Sequence, residues 1–298
     1  MPAYRSGFIA ITGRPNVGKS TLLNSLTGEK VAIVSNKPQT TRNQIRGVLT
    51  RENFQAAFID TPGIHEPKHK LGGYMVKTAE AAIGEVDAFL FLADADLKHL
   101  KADSEILSRF VNIKTPAILA INKIDTVPKP ALLTVIEGYE KIFDFAEIIP
   151  VSALTGENLA ELTDSIVKYL PEGPKFFPDD YYTDQPERFV ISEIIREKAL
   201  LFLQDEIPHG IAVETTKVKR EKGMMEVSAT IYCEKDSHKG IIIGGQGAML
   251  KKIGQRARAE IEALLGEKIF LETWVKVKKD WRDNEFLLKQ FGYGRAGK

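Results

Sequence analysis

Apolar and polar positions divide this chain into two stretches with different rhythms. Over residues 1–170, strand-like runs at 8–11, 44–49, 54–59, 88–92, 117–121 and 148–151 alternate with segments of helical spacing. Runs that are apolar on both faces predict strands of a mostly parallel sheet, covered by helices on both sides, with ligands at the carboxyl ends of the strands. The runs 44–49 and 54–59, joined through Arg51, Glu52 and Asn53, predict a hairpin at the sheet edge. Residues 171–186 break the rhythm with four prolines among Phe176, Phe177, Tyr181 and Tyr182, a mixture that predicts an extended connector laid on a surface.

Helical spacing returns over 189–204, at Ile191, Ile194, Ile195, Ala199, Leu200 and Leu203. Strands are expected at 211–220 and 225–233 with Gly223 between them. A Gly-rich turn, an amphipathic helix over 248–265 and a strand over 269–277 follow, and 286–293 reads as a C-terminal helix packed through its aromatics. The expected domains are therefore 1–170, a linker over 171–186, and 187–298. The first is α/β, and the second is α+β in the order helix, strand, strand, helix, helix, strand.

Composition removes several classes from this picture. No apolar run in the 298 residues approaches the roughly 18 that a membrane span needs. The N-terminus lacks the apolar core of a signal peptide. The lone Cys233 excludes an internal disulfide and, without a Cys or His cluster around it, a zinc site. Cytoplasm is the default expectation. Net charge is +1, but from Pro186 onward 21 Lys or Arg stand against 17 Asp or Glu. The clusters Lys251, Lys252, Arg256 and Arg258, and Lys276, Lys278, Lys279 and Arg282, read by themselves as solvated faces.

Candidate chemistry sits where the strands end. Gly13, Arg14, Pro15, Asn16, Val17, Gly18, Lys19, Ser20 and Thr21 follow the run 8–11 and precede a helix, which is a G-x-x-x-x-G-K-[ST] phosphate loop in its expected setting. Its glycines let the backbone wrap an anion, the helix N-terminus offers free N–H groups, Lys19 adds a point charge, and Ser20 offers a hydroxyl to a phosphate-bound Mg²⁺. An ordinary Gly-containing strand-to-helix turn would meet the pattern alone. Asp60, at the end of 54–59, can hold Mg²⁺ through water, and the Gly63 backbone N–H can sense a γ-phosphate. After 117–121 come Asn122, Lys123 and Asp125, whose carboxylate can accept both guanine N1–H and the exocyclic amine, a pairing that disfavours adenine, with the Lys123 stem along the base. After 148–151, Ser152, Ala153 and Leu154 offer a backbone N–H to the guanine carbonyl.

These four segments resemble the first, third, fourth and fifth guanine-nucleotide motifs of translation-factor-type GTPases. Pro38, Gln39, Thr40, Thr41 and Arg42 resemble the second, in which a Thr completes the Mg²⁺ shell; the T-T-R pattern favours Thr41, with Thr40 the alternative. Ile64 follows Gly63 where Ras-like enzymes carry a water-positioning Gln, and an isoleucine cannot orient water. In the branch with this apolar replacement the resemblance implies that the loop Asn, here Asn16, helps hold K⁺ beside the phosphates; a plain turn role for Asn16 is the other reading. The catalytic group implied is thus Lys19, Asn16, Thr41 and Gly63.

In the second domain Ile243, Gly244, Gly245, Gln246 and Gly247 resemble the I-G-x-x-G loop of a KH domain, which clamps four single-stranded nucleotides on close-packed backbone. The order of elements is that of the KH type ending in a strand. Lys239, Lys251 and Lys252 flank the loop and can meet phosphates, whereas the inner pair Gly245-Gln246 departs from the family in carrying no charge. A GTPase of this branch joined to a KH domain resembles the Era family, bacterial GTPases of small-subunit ribosome assembly, over essentially the whole chain. The resemblance implies a monomer that binds GTP and GDP with Mg²⁺, recognises single-stranded RNA near the 3′ end of 16S rRNA on the 30S subunit, and attaches loosely to the inner face of the cell membrane. An RNA-binding factor with nucleotide binding but negligible turnover, and a regulatory GTPase that docks protein, are the alternatives.

Overall fold

A computed structural model describes residues 3–35, 37, 40–64, 69–179, 181–221 and 223–293. Pro38 and Gln39 of the second motif, and Asp180 of the connector, lie outside the described residues. The chain divides into two compact units. One comprises Met1–Val34, Thr41–Pro67 and Met75–Asp184; the other comprises Ser35–Thr40, Lys68–Tyr74 and Gln185–Lys298.

The first unit is built on six strands, β1 Arg5–Gly13, β2 Ile45–Thr50, β3 Phe54–Asp60, β4 Ala88–Asp94, β5 Ala117–Asn122 and β6 Glu147–Pro150, in the sheet order β2-β3-β1-β4-β5-β6. Only β2 runs antiparallel, pairing β3 as the edge hairpin. Every residue of β3 and β5 is buried, which is why their sequences are mostly apolar instead of alternating, with Gln55, Asp60 and Asn122 the polar exceptions. The helices are α1 Lys19–Thr27, α2 Lys70–Ile83, of which the part from Met75 on belongs to this unit, α3 Leu100–Leu107, α4 Lys129–Glu140 and α5 Leu159–Tyr169. One core face joins Phe89, Phe91, Leu119 and Ile121 of the sheet to Ile83, Leu107, Phe110 and Tyr139 of the covering segments.

The connector lies along this unit. Its aromatics stack, Phe176 on Phe8 with ring centres 5.2 Å apart and Phe177 on Tyr181 at 4.8 Å. Gln55, fully buried on β3, accepts from the N–H groups of Phe176 and Phe177 at 2.8 and 3.0 Å and donates to the Phe177 carbonyl at 2.9 Å. Tyr182 extends the hairpin by accepting from Val48 N–H at 3.0 Å.

The second unit contains α6 Glu187–Phe202, β7 Ala212–Glu221, β8 Met224–Cys233, α7 Asp236–Ile243, α8 Ala248–Leu265 and β9 Ile269–Val277. The sheet order is β7-β8-β9, antiparallel between β7 and β8 and parallel between β8 and β9. Ile195, Ile231, Ile253, Ala257 and Ile261 form its core between sheet and helices. The last helix, α9 Glu285–Gln290, is shorter than 286–293, and Phe286 is 75% exposed, so the expectation that it packs does not hold. Packing falls instead to Leu288 and to Phe291 and Tyr293 beyond the helix, around the fully buried Trp281.

Candidate functional site

β1 ends at Gly13 and α1 begins at Lys19, so the phosphate loop is the bend between them. Gly18 caps α1 with φ 103, and a Cβ there would stand 2.3 Å from Asn122 Nδ2. Only glycine lets the loop close against the end of β5. Val17 is fully buried, and its carbonyl accepts from Asn122 Nδ2 at 2.7 Å. Lys19 is buried, with Nζ donating to the carbonyls of Gly13 and Arg14 at 3.2 and 2.9 Å. Burial pulls this ammonium down to about 8, against the attraction of Asp60. Asn16 is exposed with φ 66, and Pro15 and Thr21 are half-buried on either side of the loop's closure.

Three oxygens meet beside Lys19. Ser20 Oγ lies 2.8 Å from Thr41 Oγ1 and 2.8 Å from Asp60 Oδ2, and Thr41 Oγ1 donates to the same Asp60 oxygen at 3.2 Å. Asp60 is fully buried, and its Oδ1 has no hydrogen-bond partner among the described residues. Burial pushes its carboxyl up to about 6, with Lys19 and the two hydroxyls opposing. A buried carboxylate oxygen without a donor, beside two hydroxyls, fits a hard divalent cation. Thr40 is arranged differently: its Oγ1 donates to the carbonyls of Lys37 at 2.6 Å and Ser35 at 3.3 Å. Gly63 follows β3, and Ile64 N–H returns to the Gly13 carbonyl at 3.2 Å. The Ile64 side chain is 1% exposed, packed in the core, so nothing at this position reaches toward water.

The segments after β5 and β6 hold one another. Asn122 Oδ1 accepts from Ala153 N–H at 2.9 Å, which makes this side chain a clamp between the phosphate loop and the β6 end. Asp125 is exposed, and its Oδ1 accepts from Ser152 Oγ at 2.6 Å. Ser152 N–H goes to the Glu157 carbonyl at 3.1 Å, so Ser152 and Ala153 position the acidic group and the clamp, while Leu154 is 80% exposed. Lys123, at φ 66, donates to the Asn16 carbonyl at 2.8 Å. The Arg14 side chain leaves the loop toward Asp94 and Asp103. Those two acids were not among the expected site residues, although the strand ending at Asp94 follows the rule that chemistry collects at strand ends.

In the second unit α7 and α8 meet at Gly244, Gly245, Gln246 and Gly247. Gly244 has φ 72, and a Cβ on it would come 2.8 Å from Met249 Cβ. Gly245 is different: among the described residues nothing lies within 4 Å of where its Cβ would stand, so they make no demand for glycine there. Ile243 is half-buried against the core, Lys239 is half-buried, and Lys251 is exposed. The Lys252 ammonium sits 4.2 Å from the centre of the Phe202 ring, a cation–π contact that occupies it beside the turn.

Residues 8–123 match the family described as 50S ribosome-binding GTPase, and residues 206–282 match the KH domain. GTPase Era of Clostridium kluyveri is 58% identical over 290 residues, covering 97% of this chain and 99% of the relative. The chain belongs to the Era family of GTPases. Era of Ruminiclostridium cellulolyticum is 56% identical over 292 residues, 98% of either chain. A crystal structure of a variant of Aquifex aeolicus Era bound to GDP and AlF4⁻ matches with TM-score 0.94 at 44% identity, covering 97% of this chain and 99% of that one. A second, of Era in complex with MgGDPNP and nucleotides 1506–1542 of 16S ribosomal RNA, matches with TM-score 0.94 at 44% identity, covering 98% and 99%. The Era fold is thus a phosphate-loop GTPase with a mostly parallel sheet, followed by a KH domain. Among the described residues no helix is long and apolar enough to cross a membrane.

Proposed function

We propose that this chain is a GTP-driven switch that binds RNA near the 3′ end of 16S rRNA through its KH unit and assists assembly of the 30S subunit. The observation that carries this reading is the likeness, over nearly the whole chain, to an Era solved with MgGDPNP and that RNA segment. The site chemistry agrees with it. Gly13 to Thr21 would cradle the phosphates, with Lys19 exchanging loop carbonyls for phosphate oxygens. Ser20, Thr41 and Asp60 would hold Mg²⁺, which supplies charge neutralisation on the phosphates when bound. The Gly63 amide would meet the γ-phosphate, and Asp125, braced by Ser152, would accept from guanine while Asn122 keeps the loops together.

Hydrolysis needs a substitute for the side chain that Ile64 does not provide. Asn16, exposed in the loop, is the residue we assign to a K⁺ ligand, with K⁺ adding positive charge where an arginine finger otherwise acts. The test is single-turnover hydrolysis in KCl and in NaCl for wild type and Asn16→Ala. The reading expects wild type to be faster in KCl by about tenfold or more, and the variant to lose that difference. Equal wild-type rates in the two salts would sink the K⁺ assignment. The buried Ile64 also favours a second outcome, a chain that holds nucleotide with negligible turnover, which the same assay distinguishes by a rate near the uncatalysed one.

For the KH unit, the open space at Gly245 supports close approach of a sugar-phosphate backbone to the main chain. Lys239 and Lys251 would meet its phosphates, with Lys252 contributing once it leaves Phe202.

A further inference from the structure

Arg14 occupies the first variable position of the phosphate loop, yet its side chain turns away from the loop's inner surface. Its Nε donates to Asp103 Oδ1 at 2.7 Å, and one terminal nitrogen lies 3.4 Å from Asp94 Oδ2. Asp103, on α3, is completely buried, and its second oxygen accepts from the Tyr139 hydroxyl of α4 at 2.7 Å. Asp94, the last residue of β4, places its other oxygen 2.8 Å from Lys123 Nζ. That ammonium also donates to the Asn16 carbonyl at 2.8 Å.

The contacts form a closed circuit. They start on α4, pass through α3, Arg14, the end of β4 and Lys123, and return to the phosphate loop two residues after Arg14. Two cations and two carboxylates balance, which lets Arg14 and Asp103 be buried while the Lys123 end of the circuit reaches solvent. The Arg14 side chain is 13% exposed and Asp103 not at all, so a low dielectric makes their contact stiff and makes an unpaired partner costly. On the inner side of the same limb, the Arg14 carbonyl holds Lys19 Nζ at 2.9 Å. Moving Arg14 therefore moves the atom that sets the phosphate-binding ammonium.

We propose that Asp103 and Asp94 are positioning residues for nucleotide retention and GTP hydrolysis: Asp103 acts through Arg14, and Asp94 through Arg14 and Lys123, to hold the Arg14-Pro15-Asn16 limb of the phosphate loop. Neither carboxylate needs to touch the nucleotide in this role. Because Asp94 is shared, the phosphate side and the base side of the site are braced by one group. The inference rests on the GTPase activity of the family and is independent of whether Asn16 binds K⁺, since its main readout is nucleotide dissociation.

The experiment measures dissociation of a fluorescent GDP from the full chain for wild type, Asp103→Asn, Arg14→Gln and the double variant. Each single change is expected to speed dissociation about tenfold and to lower kcat, and the double is expected to be no faster than either single. The preference for GDP over IDP, which depends on the untouched Asp125, stays at the wild-type ratio. A carboxylate with only a structural role lowers the thermal midpoint and leaves the dissociation rate of the folded protein unchanged, a result that overturns the proposal. Should Asp103→Asn not fold, Asp94→Asn at the end of β4 decides: dissociation speeds about tenfold, and its effect is smaller, though not lost, in a Lys123→Met background, because the contact to Arg14 remains there. Rates within about twofold of wild type for both carboxylate variants, or fully additive doubles, contradict it.

Discussion

Asp60 shows most clearly how a residue's surroundings prepare it for its role. The carboxyl is fully buried, one of its oxygens has no hydrogen-bond partner among the described residues, and burial pushes its pKa up to about 6. A carboxyl whose folded value is raised contributes stability below its ordinary value and loses that contribution as pH rises through about 6. The nucleotide-free protein is therefore penalised at neutral pH at this position, and a bound divalent cation removes the penalty by favouring the ionised form. Carbon NMR of the Asp60 carboxyl in the nucleotide-free chain should give a midpoint near about 6 that moves down when Mg²⁺ and GDP are added. A midpoint in the ordinary carboxylate range, unmoved by Mg²⁺, would remove Asp60 from the metal site. Lys19 carries the opposite shift: its value is pulled down to about 8, so its contribution is present above the ordinary lysine range and is lost as pH falls through about 8.

At this scale the sequence was readable where a motif has a fixed spacing and silent where partners are far apart. Fixed spacing marks Gly13 to Thr21 and Asp60, and the T-T-R pattern favours Thr41; in the structure the Thr41 hydroxyl meets Ser20 and Asp60, while that of Thr40 goes to Lys37 and Ser35. Asn122, in contrast, shares its tetrapeptide with the base-pairing Asp125, and nothing in that spacing marks that its side chain braces Val17 and Ala153. Asp103 could not be found at all. It sits in a short helix, and its partners Arg14 and Tyr139 lie 89 and 36 positions away, with no periodicity linking them.

Among elements, the strands were legible because both faces of β3 and β5 are buried, and their ends lie within two residues of the expected runs except at β1, which begins three residues earlier. The connector's path was not legible, because it depends on one buried amide, Gln55, which nothing in an apolar strand marks as an anchor. The turn between α7 and α8 offers a test that separates fold from function. Since open space surrounds Gly245, Gly245→Asp should fold with an unchanged thermal midpoint, while its negative charge repels an approaching phosphate. Affinity for single-stranded RNA is expected to fall by about tenfold or more in filter binding, and the salt dependence to weaken. Unchanged RNA affinity in a folded Gly245→Asp chain would move the RNA site away from this turn.

Across the whole molecule, family membership rests on likeness over nearly the full length, with both the GTPase and the KH portions matched. The central claim is that the nucleotide at one site governs RNA affinity at the other, and linkage makes that coupling reciprocal: whatever factor GTP adds to RNA binding, RNA adds to GTP binding. The most direct measurement is the affinity of the full chain for an RNA matching nucleotides 1506–1542 of 16S rRNA, the segment bound in the related Era, in the presence of GDP and of GDPNP with Mg²⁺. The account predicts binding tighter by about tenfold with GDPNP. Equal affinities in the two nucleotide states would contradict it.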